Sequence, residues 1–502
     1  MRRFVVLVVL LSACALPGTQ NQSPVPSSST ESLAVFYEQE VSWATCRGVF
    51  ECTKVRVPLD YNKLDGDVIE LSVMRKVTTG TRLGAIFTNP GGPGGSGIQY
   101  LESYSYAFTS KLQKSFDLVS WDPRGVNESA PVDCLTDAEL DEFAASEPTP
   151  DDAAEIAEFK NSIIEFQKGC VEKSGDILSH ISTTETVKDL DILRAVIGEE
   201  KLNYIGKSYG TVIGAHYARM FPDRVGRFVL DGAVDAEIGS QQLALGQAQG
   251  FDDALKRFAS YCFDLITRCD LGVSERLIMS NIMDLLRTLD REPLPTNDPN
   301  RPLTESLGWV SVYGPLYAPS FGWDWLITGL EDAYAGDGST LLEIADWINS
   351  RNSNGTYSDN STEAYWAITC LDNGPSSEFP DSFESYFKAQ SPYFGRALAW
   401  SEAGCFNWPV SGQRLPKDVN AEGAPPIVVI GTTHDPATPD AWAKALARQL
   451  GVGIYVNFNG DGHTAYVSGS TCVNQIVDNF MLKGTAPADG TICQPNNPLV
   501  DE

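Results

Sequence analysis

Leu202-Asn203-Tyr204-Ile205 runs straight into Gly206-Lys207-Ser208-Tyr209-Gly210, and a helix is expected from Tyr209 to Met220. This is G-x-S-x-G between a strand and a helix. So tight a turn forces the serine into a strained backbone conformation and leaves its hydroxyl at the edge of the sheet, while the flanking glycines let strand and helix approach closely. The helix N-terminus behind Ser208 stabilises negative charge. The five residues alone are weak evidence; the strand before and the helix after give them weight.

On either side, β-rich runs alternate with helical patterns. Strands are expected at 55–57, 68–73, 85–87, 117–120, 202–205 and 227–230, and Val187, Leu190, Leu193 and Ile197 recur at helical spacing. Such alternation predicts a mostly parallel central sheet with helices on both faces. Residues 236–420 read as helices and long loops rich in aromatics (Trp309, Tyr313, Tyr317, Trp323, Trp325, Tyr365, Trp366), read here as the core of that segment. Strands return at 427–430 and 454–456. An α/β sheet interrupted by a large helical cap and then resumed is the layout of the α/β-hydrolase fold. The expected division is a first core part over 39–235, a helical cap over 236–420 and a second core part over 421–502.

A serine hydroxyl needs a base. The four histidines are His180, His216, His434 and His463. In this fold the order is serine, acid, histidine. Asp435 follows the 427–430 strand in GTTHDPATP, and His463 lies beyond it in GDGHT, which selects Ser208, Asp435 and His463. Asp231, after the 227–230 strand, is the rival acid. His216 and His434 read as structural.

After the 85–87 strand comes Asn89-Pro90-Gly91-Gly92-Pro93-Gly94-Gly95-Ser96-Gly97. Glycines allow backbone N–H groups to point at a developing oxyanion, each donor contributing ~3–4 kcal/mol. No GxxxxGK[ST] favours phosphate binding instead, and no CxxC or HExxH favours a metal. This chemistry needs no metal or cofactor.

NPGGPGGSG, WDPRGVNES, LNYIGKSYGT, GTTHDPATP and GDGHT occur in this order. Together they resemble the exported actinobacterial prolyl and tripeptidyl aminopeptidases of the α/β-hydrolase superfamily, with a TAP-like C-terminal region, across roughly Cys46 to Cys493. The resemblance implies the same triad, oxyanion donors at the N–H of Gly92 and Tyr209 with Gly91 their neighbour, and a Thr438 that steadies the acid. Pro90 stands where many relatives carry His, and Asn127 where they often carry Gly, so Asp122 and Arg124 read as structural. The resemblance also implies an exopeptidase releasing di- or tripeptides from N-termini, with Asp372 or Asp324 as the carboxylate for the substrate's α-ammonium. A carboxylesterase or lipase acting on envelope acyl esters would use the same triad. A non-catalytic binding lipoprotein is the third class, from which an enzyme is told apart by fluorophosphonate labelling.

The chain has 502 residues and a net charge of −29, from 37 Lys plus Arg against 66 Asp plus Glu. That balance excludes nucleic acid and anionic surfaces as partners bound through basic patches. Arg2 and Arg3, an apolar run over 4–11 and Leu11-Ser12-Ala13-Cys14 read as a signal peptide over 1–13. The LSAC tetrad resembles a bacterial lipobox, which implies lipidation of Cys14. A Ser- and Pro-rich tether over 14–38 would then hold a monomeric body on the order of 25–30 Å from the membrane. Removing Cys14 from eleven cysteines leaves ten, expected to pair as sequence neighbours: Cys46–Cys52, Cys134–Cys170, Cys262–Cys269, Cys370–Cys405 and Cys472–Cys493.

Overall fold

The structure, a computed structural model, describes residues 32–265 and 269–496. The expected signal peptide, Cys14 and most of the tether lie outside the described residues. Ten strands form one sheet: β1 (Ala44–Cys46), β2 (Phe50–Pro58), β3 (Val68–Lys76), β4 (Ala85–Asn89), β5 (Asp117–Trp121), β6 (Leu202–Lys207), β7 (Val225–Asp231), β8 (Ile427–His434), β9 (Gly453–Asp461) and β10 (Thr491–Cys493). Their order is β1-β2-β3-β5-β4-β6-β7-β8-β9-β10. From β5 to β10 every neighbouring pair is parallel, whereas β1, β2 and β3 add an antiparallel edge. The pattern follows from burial. β4 and β5 are buried throughout, covered on both faces, whereas β2 alternates buried Val55 and Val57 with exposed Lys54 and Arg56. The short strands β1 and β10 carry too few apolar residues to be foreseen.

One face of the sheet packs against helices Thr183–Val196 and Gly210–Met220, burying Val187, Leu190, Ile213 and Tyr217. The other packs against Gly97–Tyr104 and Thr471–Lys483 through Ile98, Leu101, Val473 and Phe480. Between β7 and β8 the described chain is helical apart from isolated bridges and has its own core, with Leu255, Phe258, Ile282 and Leu326 buried together. Fully burying such side chains stabilises by ~1.5–3 kcal/mol each, so this insertion holds its own shape.

Two expected boundaries change. Residues at the end of the supposed tether form the short helix Ala34–Tyr37, with Phe36 buried and Tyr37 Oη donating to Asp191, so the body begins before 39. The roof over the sheet also draws on the first core part. Helices Asp137–Ala145 and Ala153–Ser174 pack onto the insertion, with Phe159 edge-on to Trp400 at 5.4 Å and Gln167 Nε2 donating to the carbonyls of Gly404 and Phe406. All five cysteine pairs are bonded as expected.

Candidate active site

β6 ends at Lys207, and Ser208 takes φ +55°, the left-handed region an L residue normally avoids. Its N–H donates to the Asp231 carbonyl at 2.9 Å, and its carbonyl accepts the Thr211 N–H. A Cβ on Gly206 would lie 2.4 Å from the Gly210 carbonyl, and one on Gly210 2.6 Å from that of Asn89. Both flanking glycines are therefore required by close approach. The strained serine is held by its neighbours, as a residue in so sparsely populated a conformation must be.

Asp435 follows β8 and His463 follows β9, each at a carboxyl end of the same parallel sheet. His463 Nδ1 lies 2.8 and 3.0 Å from the two Asp435 oxygens. Asp435 is buried, and Oδ1 also accepts the Ala437 and Thr438 N–H groups. The Thr438 hydroxyl donates to Asp435 Oδ2 at 3.0 Å, the steadying role expected of it. The other imidazole nitrogen, His463 Nε2, is buried with no hydrogen-bond partner among the described residues. It is not bonded to Ser208 Oγ in this state. The two residues nevertheless meet one stretch of backbone: Ser208 N–H is bound to the Asp231 carbonyl, and His463 Cε1 lies 3.2 Å from where a Cβ on Gly232 would sit.

The rival acid is otherwise engaged. The Asp231 carboxylate is fully buried and accepts the N–H groups of Ala465 and Tyr466, fixing the loop that carries His463. His434 is bonded to Asp253 at 2.7 Å and His180 to Glu185. Burial pushes the His216 imidazole down to about 4, with Arg219 adding to the effect.

The glycine loop after β4 crosses Ser208 closely. A Cβ on Gly91, at φ +104°, would come within 2.8 Å of the Ser208 Cβ. The Gly91 N–H donates to Asn89 Oδ1 at 3.0 Å. The N–H groups of Gly92 and Tyr209 donate to no acceptor among the described residues. The loop's far end is tied down by Asp122, which accepts the Ser96 hydroxyl at 2.6 Å and the Ile98 N–H. Arg124, wholly buried, forms a bidentate pair with Asp189. Asn127 adopts φ +45°, which explains why glycine suits that position. Asp122 and Arg124 are thus framework residues.

Gly92, Ser208 and Tyr209 open onto a cavity of about 860 Å³, large enough for a short peptide or a drug-sized ligand. Five of the seven aromatics read as interior packing (Trp309, Tyr313, Tyr317, Tyr365 and Trp366) line it, a correction to that expectation; Trp323 stays in the insertion's core. Tyr317 bridges insertion and site: its carbonyl accepts the His463 N–H, and its ring meets the imidazole edge-on.

The two carboxylates expected to bind an ammonium fare differently from that expectation. Asp324 is exposed on helix Pro319–Tyr334, accepts the Tyr261 hydroxyl and does not line the cavity. Asp372 does line it, but both its oxygens are taken, one by the Thr183 N–H and one by the Thr183 hydroxyl. Burial pushes its carboxyl up to about 7. Three further acids on the wall, Glu147, Asp235 and Glu402, escaped the sequence reading as site residues. Glu402 is raised by burial, opposed by a hydrogen bond with Ser240. Glu147 is pushed up to about 8, by burial and then by the charge of Glu305. Glu402 lies in the short helix Ser401–Cys405 and Glu147 in the loop after helix Asp137–Ala145, and no local motif marks either as facing a cavity.

Fold and elbow define the class, a serine hydrolase of the α/β-hydrolase fold. Residues 84–265 match the alpha/beta hydrolase fold family and residues 391–493 the TAP-like protein family. Over 479 residues the chain is 37% identical to "Serine protease Hip1" of Mycobacterium tuberculosis, covering 91% of each. It is 30% identical to the "Tripeptidyl aminopeptidase" of Streptomyces lividans, covering 91% of this chain and 87% of the relative. It is 31% identical to "Carboxylesterase B" of M. tuberculosis, covering 96% and 95%. The chain belongs to the TAP-like family of α/β-hydrolase serine peptidases.

Proposed function

We propose that Ser208 is the nucleophile of an exported aminopeptidase that releases di- or tripeptides, with His463 its base and Asp435 the acid. The observation that carries this is the Asp435–His463 pair, which leaves Nε2 buried and unpartnered, together with a strained Ser208 that lines the cavity. His463 Nε2 takes the Ser208 proton as Oγ attacks the scissile carbonyl. The Gly92 and Tyr209 N–H groups receive the tetrahedral oxyanion. The imidazolium then protonates the leaving amine, and water releases the acyl group by the reverse path. Asp435 holds the ring in the tautomer with its proton on Nδ1. In apo sites such hydrogen bonds often tighten only with substrate present, consistent with the open Ser208–His463 contact.

Exopeptidase action is supported by the roof, whose helices supply much of the cavity wall around Ser208. It also requires an anion for the substrate's α-ammonium. Glu402 suits this: it lines the cavity and has no ion-pair partner among the described residues, and a bound ammonium would offset the burial that raises its pKa. Five disulfides support export, together with the expected signal peptide and lipid site at Cys14. No helix among the described residues is long and apolar enough to cross a membrane.

Ester hydrolysis is the second reading, favoured by the aromatic walls and by the relative named Carboxylesterase B. One panel decides: a tripeptide amide, its N-acetylated form and a short acyl ester. An aminopeptidase loses the acetylated peptide alone. Equal turnover of both peptides rejects exopeptidase specificity, and turnover of the ester alone installs the esterase.

A further inference from the structure

The geometry points to Asp372 as a positioning residue: through helix Ser361–Asn373, the insertion holds both halves of the oxyanion hole in place. This rests on the proposed roles of Ser208, Gly92 and Tyr209. The helix is anchored at its start. Asn360 accepts the Asn127 N–H and donates to the carbonyls of Gly125 and Val132, while Glu363 accepts the N–H groups of Cys134 and Leu135. Its first turn lies against the glycine loop: a Cβ on Gly94 would meet the Ser361 carbonyl at 2.7 Å and the Tyr365 nitrogen at 2.9 Å. Two turns on, about 10 Å along the axis, Asp372 reaches the other half. Its carboxylate accepts both the N–H and the hydroxyl of Thr183, and the Thr183 oxygen is hydrogen-bonded to the Tyr209 hydroxyl. Tyr209 is the residue whose N–H faces the oxyanion. With Asp372 ionised, the chain of bonds is complete when Tyr209 donates to Thr183 and Thr183 to Asp372, so each proton has one acceptor. All three residues are anchored in rigid elements: Asp372 near the end of its helix, Thr183 at the start of helix Thr183–Val196, Tyr209 on the elbow. The seating of helix Ser361–Asn373 on the core and the position of the two amides are thereby coupled.

The test uses the full mature chain, with the tripeptide amide as substrate and a peptide boronic acid as transition-state analogue. Asp372→Asn is expected to lower kcat about tenfold and weaken boronate inhibition by the same factor, leaving KM and the preference for a free N-terminus unchanged. A rise in KM with lost N-terminal preference makes Asp372 an ammonium anchor and overturns the inference. So do unchanged kcat and unchanged boronate affinity. Tyr209→Phe cuts the chain at its other end while keeping the backbone N–H, and should reproduce the pattern; it decides the matter if Asp372→Asn does not fold. Turnover retained in Ser208→Ala instead overturns the underlying catalytic reading, which separates the two failures.

Discussion

The carbonyl of Tyr317 accepts the His463 N–H at 2.8 Å, and the Tyr317 ring meets the imidazole edge-on with centroids 5.2 Å apart. Tyr317 caps helix Glu305–Leu316 of the insertion, so a residue of the roof shapes the position of a group that the sheet delivers. Removing the ring should let the imidazole turn. Tyr317→Ala is expected to lose roughly ten- to a hundredfold in kcat, since small misplacements of a catalytic group are costly. Tyr317→Phe keeps the ring and should stay near wild type. Steady-state kinetics on the two variants check this, and equal losses in both reject it.

Asp435→Asn should cost on the order of 10⁴ in kcat without unfolding the chain, because an amide cannot hold the proton on Nδ1. Thr438→Val, which removes only the hydroxyl on Oδ2, should lower kcat in the same direction by much less. An Asp435→Asn variant with wild-type turnover would remove this residue from the mechanism.

Gly91→Ala tests the closeness of the loop. A methyl group there would press on the Ser208 Cβ and the Lys207 carbonyl, both 2.8 Å away, at a φ that disfavours alanine. The loop must shift, taking the Gly92 N–H with it, and kcat should fall by about 10²–10³, the usual loss for one oxyanion donor. Fluorophosphonate labelling and ester turnover should fall together.

Arg124→Ala takes from the fully buried Asp189 the cation that opposes the upward push of burial on its carboxyl, leaving the acid to take up a proton or stand unpaired. A destabilisation of about 3–5 kcal/mol is expected in chemical denaturation. Activity per folded molecule should survive, because Arg124 touches no reacting group.

The same strands that make the sheet were legible because their apolar runs are short, β-branched and bounded by turn residues, and the three catalytic candidates stand directly after three of them. The close approach of the glycine loop to Ser208 was legible because only a glycine-rich chain tolerates such proximity. Asp324 and Asp372 went astray for one physical reason. A carboxylate's role depends on which groups face it across the fold, and neither Tyr261 nor Thr183 is close in sequence. Tyr317 and Glu402 were hidden likewise, because periodicity marks a buried face without saying whether a core or a cavity lies behind it.

Asp372 also predicts a pH dependence of stability. Folded, it keeps its proton up to about 7, because burial and, secondarily, the nearby Glu185 charge oppose ionisation despite the Thr183 hydrogen bonds; its ordinary value is 3.8. Folding therefore takes up a proton between these values. The contribution is full below about 4 and is lost as pH rises through about 7. The Tm of wild type minus that of Asp372→Asn should shrink across this window in thermal melts; a constant difference rejects the assignment.

β7 and β8 are parallel neighbours, with Phe228 opposite Ile427 and Asp231 opposite Ile430, so the insertion leaves at the carboxyl end of one strand and returns at the amino end of the strand next to it. Such a junction invites recombination: a foreign roof can be spliced in without disturbing the strands below. Yet a chimaera made this way inherits a mismatched clasp unless the donor's acid at position 372 finds a hydroxyl waiting at 183. Substrate preference and turnover should therefore travel together when these roofs are exchanged, and a graft that alters one at no cost to the other must carry its partner residues along.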